Sequence, residues 1–284
     1  MGFAETAFLG AIAGFTIYLG LPAGRVQRVD DRLRVALGML SVGILAFIFV
    51  DVIANGQAII QTALRNFKDH RSSFAHVVVL FALLAGAFTA GTAGIASIQQ
   101  SLGRRFRARP PVAGGDMATV LSASELAGPQ RAARRAALRT GLTIAGAIGL
   151  HNFAEGLAIG VSAKAGAIGL ATVLIIGFGV HNATEGFGIV GPLGGVRPSW
   201  RWIGLAGLIA GGPTFLGTLL GYQVHSDALE LAFYALAGGA ILYVIGEIWS
   251  SMRVYGHRTL GLYLLALGFL LGVATDILIS YGGG

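Results

Sequence analysis

The chain reads as a succession of apolar runs, each about twenty residues long and closed by a short polar stretch, the length of helix that crosses the hydrocarbon of a bilayer. Eight such runs are predicted, at roughly 3–21, 34–54, 75–98, 141–161, 168–190, 203–222, 229–250 and 259–280. Eight crossings place both ends of the chain on one side. No basic residue precedes the first run, whose first arginine is Arg25 beyond its apolar part, so it is read as a span and not as a cleavable signal peptide. Small-residue spacings inside the runs, "GAIAG" from Gly10, "GLIAG" from Gly207 and "GFLLG" from Gly268, suit helices that pack backbone to backbone.

Composition strengthens this picture. Of 284 residues 55% are hydrophobic and 12% charged, a balance that soluble domains do not reach. The expectation is an all-α, multi-pass integral membrane protein forming one transmembrane domain over 1–284. The formal charge of +7 could point to nucleic acid, but sixteen of the twenty lysines and arginines fall in alternate loops, which the positive-inside rule makes cytoplasmic. The charge is therefore a topology signal, and both termini are expected to be extracytoplasmic. Arginine outnumbers lysine eighteen to two, with abundant Ala and Gly, which suits a GC-rich bacterial genome and so an inner membrane. The long connection at 101–140, with its Pro110–Pro111 pair, is read as a cytoplasmic loop with a helical stretch near 130–139. Cysteine is absent, which excludes disulfides and thiolate metal sites.

The chemistry stands out because it sits where hydrocarbon is expected. "HNFAEG" begins at His151 and "HNATEG" at His181, each in the middle of an apolar run. On a helix, positions i, i+1 and i+4 share a face, so His151, Asn152 and Glu155 project together, as do His181, Asn182 and Glu185. A short link between the two runs would make them an antiparallel hairpin whose trios meet at one depth. An ionised side chain at mid-membrane costs at least ~2.5 kcal/mol, so a repeated trio there is read as functional. Two imidazoles, two amides and two carboxylates form a nitrogen and oxygen donor set suited to a divalent metal ion.

The two segments resemble the signature of the ZIP family of divalent-metal transporters, whose fourth and fifth helices carry H-N-x-P-E-G and a related H/Q-D/N-x-P-E-G. The likeness extends to eight spans, termini outside and the longest inner loop between the third and fourth spans. It implies a 3+2+3 helix arrangement, a metal site midway through the membrane on His151, Asn152, Glu155, His181, Asn182 and Glu185, and passage of Zn²⁺ or a similar ion toward the cytosol. The sequence departs from the family in three places. Ala154 and Thr184 stand where the family has proline, Thr214 stands near where many relatives have a carboxylate, and the long loop holds no histidine.

Asp51 and Asp276, near the outer ends of the second and eighth runs, and Glu247, near the inner end of the seventh, are candidate pathway residues. His70, His76, His225, Asp227, Glu230 and His257 are read as ordinary solvated groups. The expected partners are the divalent ion, as cargo and not as a prosthetic group, and the lipid bilayer; a homodimer stays open, and nucleic acid is excluded. A transporter of Zn²⁺, Fe²⁺, Mn²⁺ or Cd²⁺ is the leading function. The alternative is an intramembrane zinc-dependent hydrolase, which the absence of H-E-x-x-H and of a free general base disfavours.

Overall fold

The computed structural model describes residues 1–26, 30–97, 100–101, 123–164, 175, 179, 182–223 and 226–283. Among these there is no strand. The helices are α1 (Phe3–Arg25), α2 (Asp31–Lys68), α3 (Phe74–Ser97), α4 (Ala123–Lys164), α5 (described over 182–190), α6 (Trp200–Gln223), α7 (Asp227–Arg253) and α8 (Arg258–Gly283). Seven of them, all but α5, are long and apolar enough over the described residues to cross a membrane. The protein is thus all-α with the build of a multi-pass membrane protein. The run expected at 168–190 falls largely outside the described residues.

Two boundaries differ from the sequence reading. α2 continues to Lys68, past the expected end near residue 54. Its 38 residues span roughly 57 Å at 1.5 Å per residue, well beyond the ~30 Å of hydrocarbon. The extension is stabilised by contact: Ala63 on α2 packs with Val77 and Leu80 on α3 and Leu231 on α7 in a small apolar cluster. α4 begins at Ala123, inside the stretch expected as loop.

α4 is the central helix. Seventy-two per cent of its most apolar window is buried, against 17% for α3 and for α8, which lie at the periphery. The peripheral and surface positions are apolar: Phe8, Leu19, Val79, Phe81, Leu270 and Leu278 are all exposed. His151, Asn152, Glu155, Asn182 and Glu185 are buried. An apolar exterior, with the few buried polar groups turned into the helix bundle, is the arrangement a hydrocarbon solvent favours.

Glycine sets the helix spacing. On α4, Gly149, Gly156 and Gly160 lie against the main chain of Ile209, Thr214 and Thr218 on α6, while Gly217 and Gly221 lie against Phe153 and Leu157. A Cβ at any of these positions would strike a backbone carbonyl. The same device recurs in matched pairs. Gly43 on α2 meets the Leu265 carbonyl and Gly268 on α8 meets that of Leu40; Gly239 on α7 meets Phe88 and Gly91 on α3 meets Leu236. The α2–α8 contact therefore repeats as the α7–α3 contact, residue for residue in spacing. Two α4–α6 contacts likewise have counterparts between α5 and α1, where Gly186 lies against Ile17 and Gly20 against Ala183.

After α5 the chain turns through Gly191–Leu193, a 3₁₀ turn whose Gly194 (φ 61°) and Gly195 (φ 84°) adopt the left-handed backbone that only glycine enters freely. This turn is held on several sides. Arg25 of α1 donates to the Pro198 carbonyl and lies over the Trp200 ring, and Trp202 Nε1 donates to the Leu138 carbonyl at 3.2 Å. Leu193 is buried beneath it.

Candidate metal centre

The first motif lies on α4 and the second on α5, and the described part of the two trios comes together. His151 Nε2 stands 2.8 Å from Glu155 Oε1 on its own helix and 4.0 Å from Glu185 Oε1 on α5. One imidazole thus touches a carboxylate from each motif. All three residues are 5% exposed or less. His181 falls outside the described residues.

The two asparagines are the most informative side chains. Asn152 Nδ2 donates to the Ala210 carbonyl on α6 at 3.0 Å, and Asn182 Nδ2 donates to the Ala13 carbonyl on α1 at 3.0 Å. In each, Oδ1 is buried with no hydrogen-bond partner among the described residues. A primary amide has two donor hydrogens and one acceptor oxygen, and a main-chain carbonyl can take only the donor end. The asparagine NH₂ groups are therefore turned to neighbouring helices, and the oxygens are left over.

Sequence reasoning had no route to the partner carbonyls. Thr214, singled out in the sequence, is fully buried on α6, and its Oγ1 has no hydrogen-bond partner among the described residues. Its side chain lies beside Gly14 of α1, at the α1–α6 contact. Ser41 of α2 is buried and donates to the Thr184 carbonyl of α5 at 3.1 Å, so α2 is fastened to the helix carrying the second motif. A lone serine in an apolar run gives no warning of this.

The proposed pathway carboxylates stand elsewhere. Asp51 and Asp276 are exposed, Glu247 is half-buried, and none is among the buried polar side chains. Asp51 lies well inside α2, not near its end at Lys68, and Asn55 Nδ2 donates to its Oδ2 at 3.3 Å. His70, His76 and His257 are exposed, as expected, and Asp227 and Glu230 occupy the first turn of α7, where acidic groups favour the helix dipole. His225 lies outside the described residues.

Among the described residues, no group of three or more His, Cys, Asp or Glu side chains takes the geometry of a metal cluster. His181 is not among them. Two donors ~2.1 Å from one ion at tetrahedral angles stand ~3.4 Å apart, whereas His151 and Glu155 are in direct contact at 2.8 Å. Opening that one contact by about half an ångström is a side-chain adjustment. Chemically, the motifs offer two carboxylates, an imidazole and two buried amide oxygens that make no hydrogen bond among the described residues.

No family model matches the chain, and no curated protein matches it.

Proposed function

We propose that the protein moves a divalent transition-metal ion, Zn²⁺ before Fe²⁺, Mn²⁺ or Cd²⁺, through a site on α4 and α5 toward the cytosol, and that it is a transporter and not an enzyme. The observation that carries this reading is the orientation of Asn152 and Asn182. With both NH₂ groups engaged by helix carbonyls, the buried cluster presents acceptors, which suits a cation and repels an anion. Glu155 and Glu185 supply two negative charges, equal to the charge of one M²⁺, so the loaded site is neutral where charge is costly.

The likeness of "HNFAEG" and "HNATEG" to the ZIP signature supports the same reading, and with it eight spans in a 3+2+3 arrangement, extracytoplasmic termini and a bacterial inner membrane. Eight spans require α5 to extend through 168–190. The matched glycine contacts of α2–α8 and α7–α3 fit two three-helix units flanking a central pair. Asp51, Asp276 and Glu247 are assigned to the approach and exit of the ion as secondary residues.

The test is purified protein in liposomes loaded with a metal-sensitive dye. Zn²⁺ influx that saturates with concentration is expected. Tight Zn²⁺ binding without flux would favour the intramembrane hydrolase instead.

A further inference from the structure

Each motif is fixed to a neighbouring helix in the same register. On α4, Asn152 donates to the Ala210 carbonyl, and four residues on, Gly156 lies against the Thr214 carbonyl. On α5, Asn182 donates to the Ala13 carbonyl, and four residues on, Gly186 lies against the Ile17 carbonyl. Asparagine thus meets one carbonyl and glycine the carbonyl one turn further along, in both cases. The two target helices touch each other through Gly14 and Gly211, the residues next to the two tethered carbonyls.

The duplication matters because the amides have another demand on them. Resting on the cation-site reading above, Oδ1 of each asparagine faces the ion. We propose that Asn152 and Asn182 are a matched pair of positioning residues that anchor the cation site to α6 and α1, each amide acting at both ends, Nδ2 on a main-chain carbonyl and Oδ1 toward the ion. An ion that polarises Oδ1 makes the same amide's N–H a stronger donor, since hydrogen bonds in a chain reinforce one another. Loading the site therefore tightens α4 on α6 and α5 on α1. The buried state, with every described site side chain sealed from solvent, is one the ion must pass between the two faces of the membrane. It contains both tethers.

The tether needs the amide: an aspartate at position 152 would keep only the ligand end. A carboxylate keeps an oxygen for the ion but has no hydrogen for the carbonyl, and sets acceptor against acceptor at a contact that glycine has made as close as backbones allow.

The test compares Asn152→Asp and the isosteric Asn152→Leu and Asn182→Leu with the unaltered protein in dye-loaded liposomes at neutral pH, with Zn²⁺ as the probe. KM and maximal rate are read separately, and a melting curve shows that each variant is folded. For Asn152→Asp the expected result is a KM little changed or lowered with a maximal rate down by about tenfold, the rate equivalent of one buried hydrogen bond. The two leucine variants, which lack both ends, should lose affinity as well as rate. An unchanged maximal rate in Asn152→Asp overturns the tether, since a simple oxygen ligand is all that remains. Unchanged KM and rate in either leucine variant also overturns it. Glu155→Ala distinguishes the two levels of argument: if that variant still takes up Zn²⁺ normally, the site reading itself has failed, whatever the asparagines do.

Discussion

Gly14 on α1 and Gly211 on α6 stand over each other's main chain, so that a methyl group on either would strike the backbone of the other. Neither helix can yield alone, because α6 is also held against α4 by Gly217 and Gly221. A side chain at this point must separate two backbones, and overpacking of this kind costs ~1–3 kcal/mol or more. Gly211→Val is expected to lower the melting temperature sharply and to reduce the yield of folded protein. Gly204→Ala, where a Cβ meets open space, is the internal control and should melt as the parent does. Equal melting of the two variants would remove the close α1–α6 contact from the fold.

Removal of either central carboxylate should abolish transport without preventing insertion. Glu155 and Glu185 are both buried beside His151, and in the proposed site each would supply half of the charge that offsets the ion. Glu155→Ala and Glu185→Ala are expected to reach the membrane in normal amount and to show no saturable Zn²⁺ influx. Glu155→Gln keeps the shape and loses the charge, so it should fail as well. Near-normal uptake by any of the three would remove the carboxylates from the site.

In the proposed transporter His151 would set metal preference more than charge balance. Imidazole favours Zn²⁺ over the harder Mn²⁺, while carboxylate and amide oxygens suit the harder ion. His151→Ala should weaken Zn²⁺ uptake and raise the rate for Mn²⁺ relative to it, measured by competition in the same liposomes. Protons compete with the ion for the imidazole and for both carboxylates, so uptake by the unaltered protein should fall as the medium is acidified. Stimulation by external acid that persists with an ionophore present would contradict this.

The helical class, most of the spans and the shared burial of His151, Asn152 and Glu155 could be read from the chain because each depends on local pattern. Apolar runs of fixed length mark the helices, and i, i+1, i+4 spacing puts His151, Asn152 and Glu155 on one face whatever packs around them. The partners were not legible. Ala13 and Ala210 contribute main-chain carbonyls, and any residue has one, so no side-chain pattern announces that Asn182 and Asn152 reach for them. One trace did exist: "GAIAG" from Gly10 and "GLIAG" from Gly207 are nearly the same word, and the tethered alanine is the fourth letter of each. The overshoot of α2 was hidden for a different reason. Beyond residue 54 its sequence turns polar, and its helix there rests on packing against α3 and α7, a tertiary effect.

Thr214 separates a structural role from a transport role. Its hydroxyl is fully buried without a hydrogen-bond partner among the described residues, at the α1–α6 contact beside Gly14. An unpartnered buried hydroxyl costs ~1–3 kcal/mol in desolvation, and valine has the same shape without it. Thr214→Val is therefore expected to melt at the same temperature or higher, with Zn²⁺ influx retained. A variant that melts normally but transports poorly would show that the ion uses this oxygen, and would move the site toward α6.

The number of ions follows from the number of charges. Among the described residues Glu155 and Glu185 are the only buried carboxylates, while Asn152 and Asn182 add donor atoms without charge. One M²⁺ brings the cluster to neutrality. A second would leave two uncompensated positive charges in a low-dielectric interior, where an unpaired charge is expensive and, among the described residues, no third buried carboxylate is there to absorb it. A glutamate at Thr214 would supply the charge, but its Cβ would point at the α1–α6 contact, so the natural chain has no simple route to a binuclear site. The expected stoichiometry is one ion per chain. Metal analysis of protein loaded with Zn²⁺ and stripped of loosely held ions gives the count, and anomalous scattering gives the position. Two fully occupied ions between α4 and α5 would refute the charge argument, and with it the assignment of Glu155 and Glu185 as the complete counter-charge.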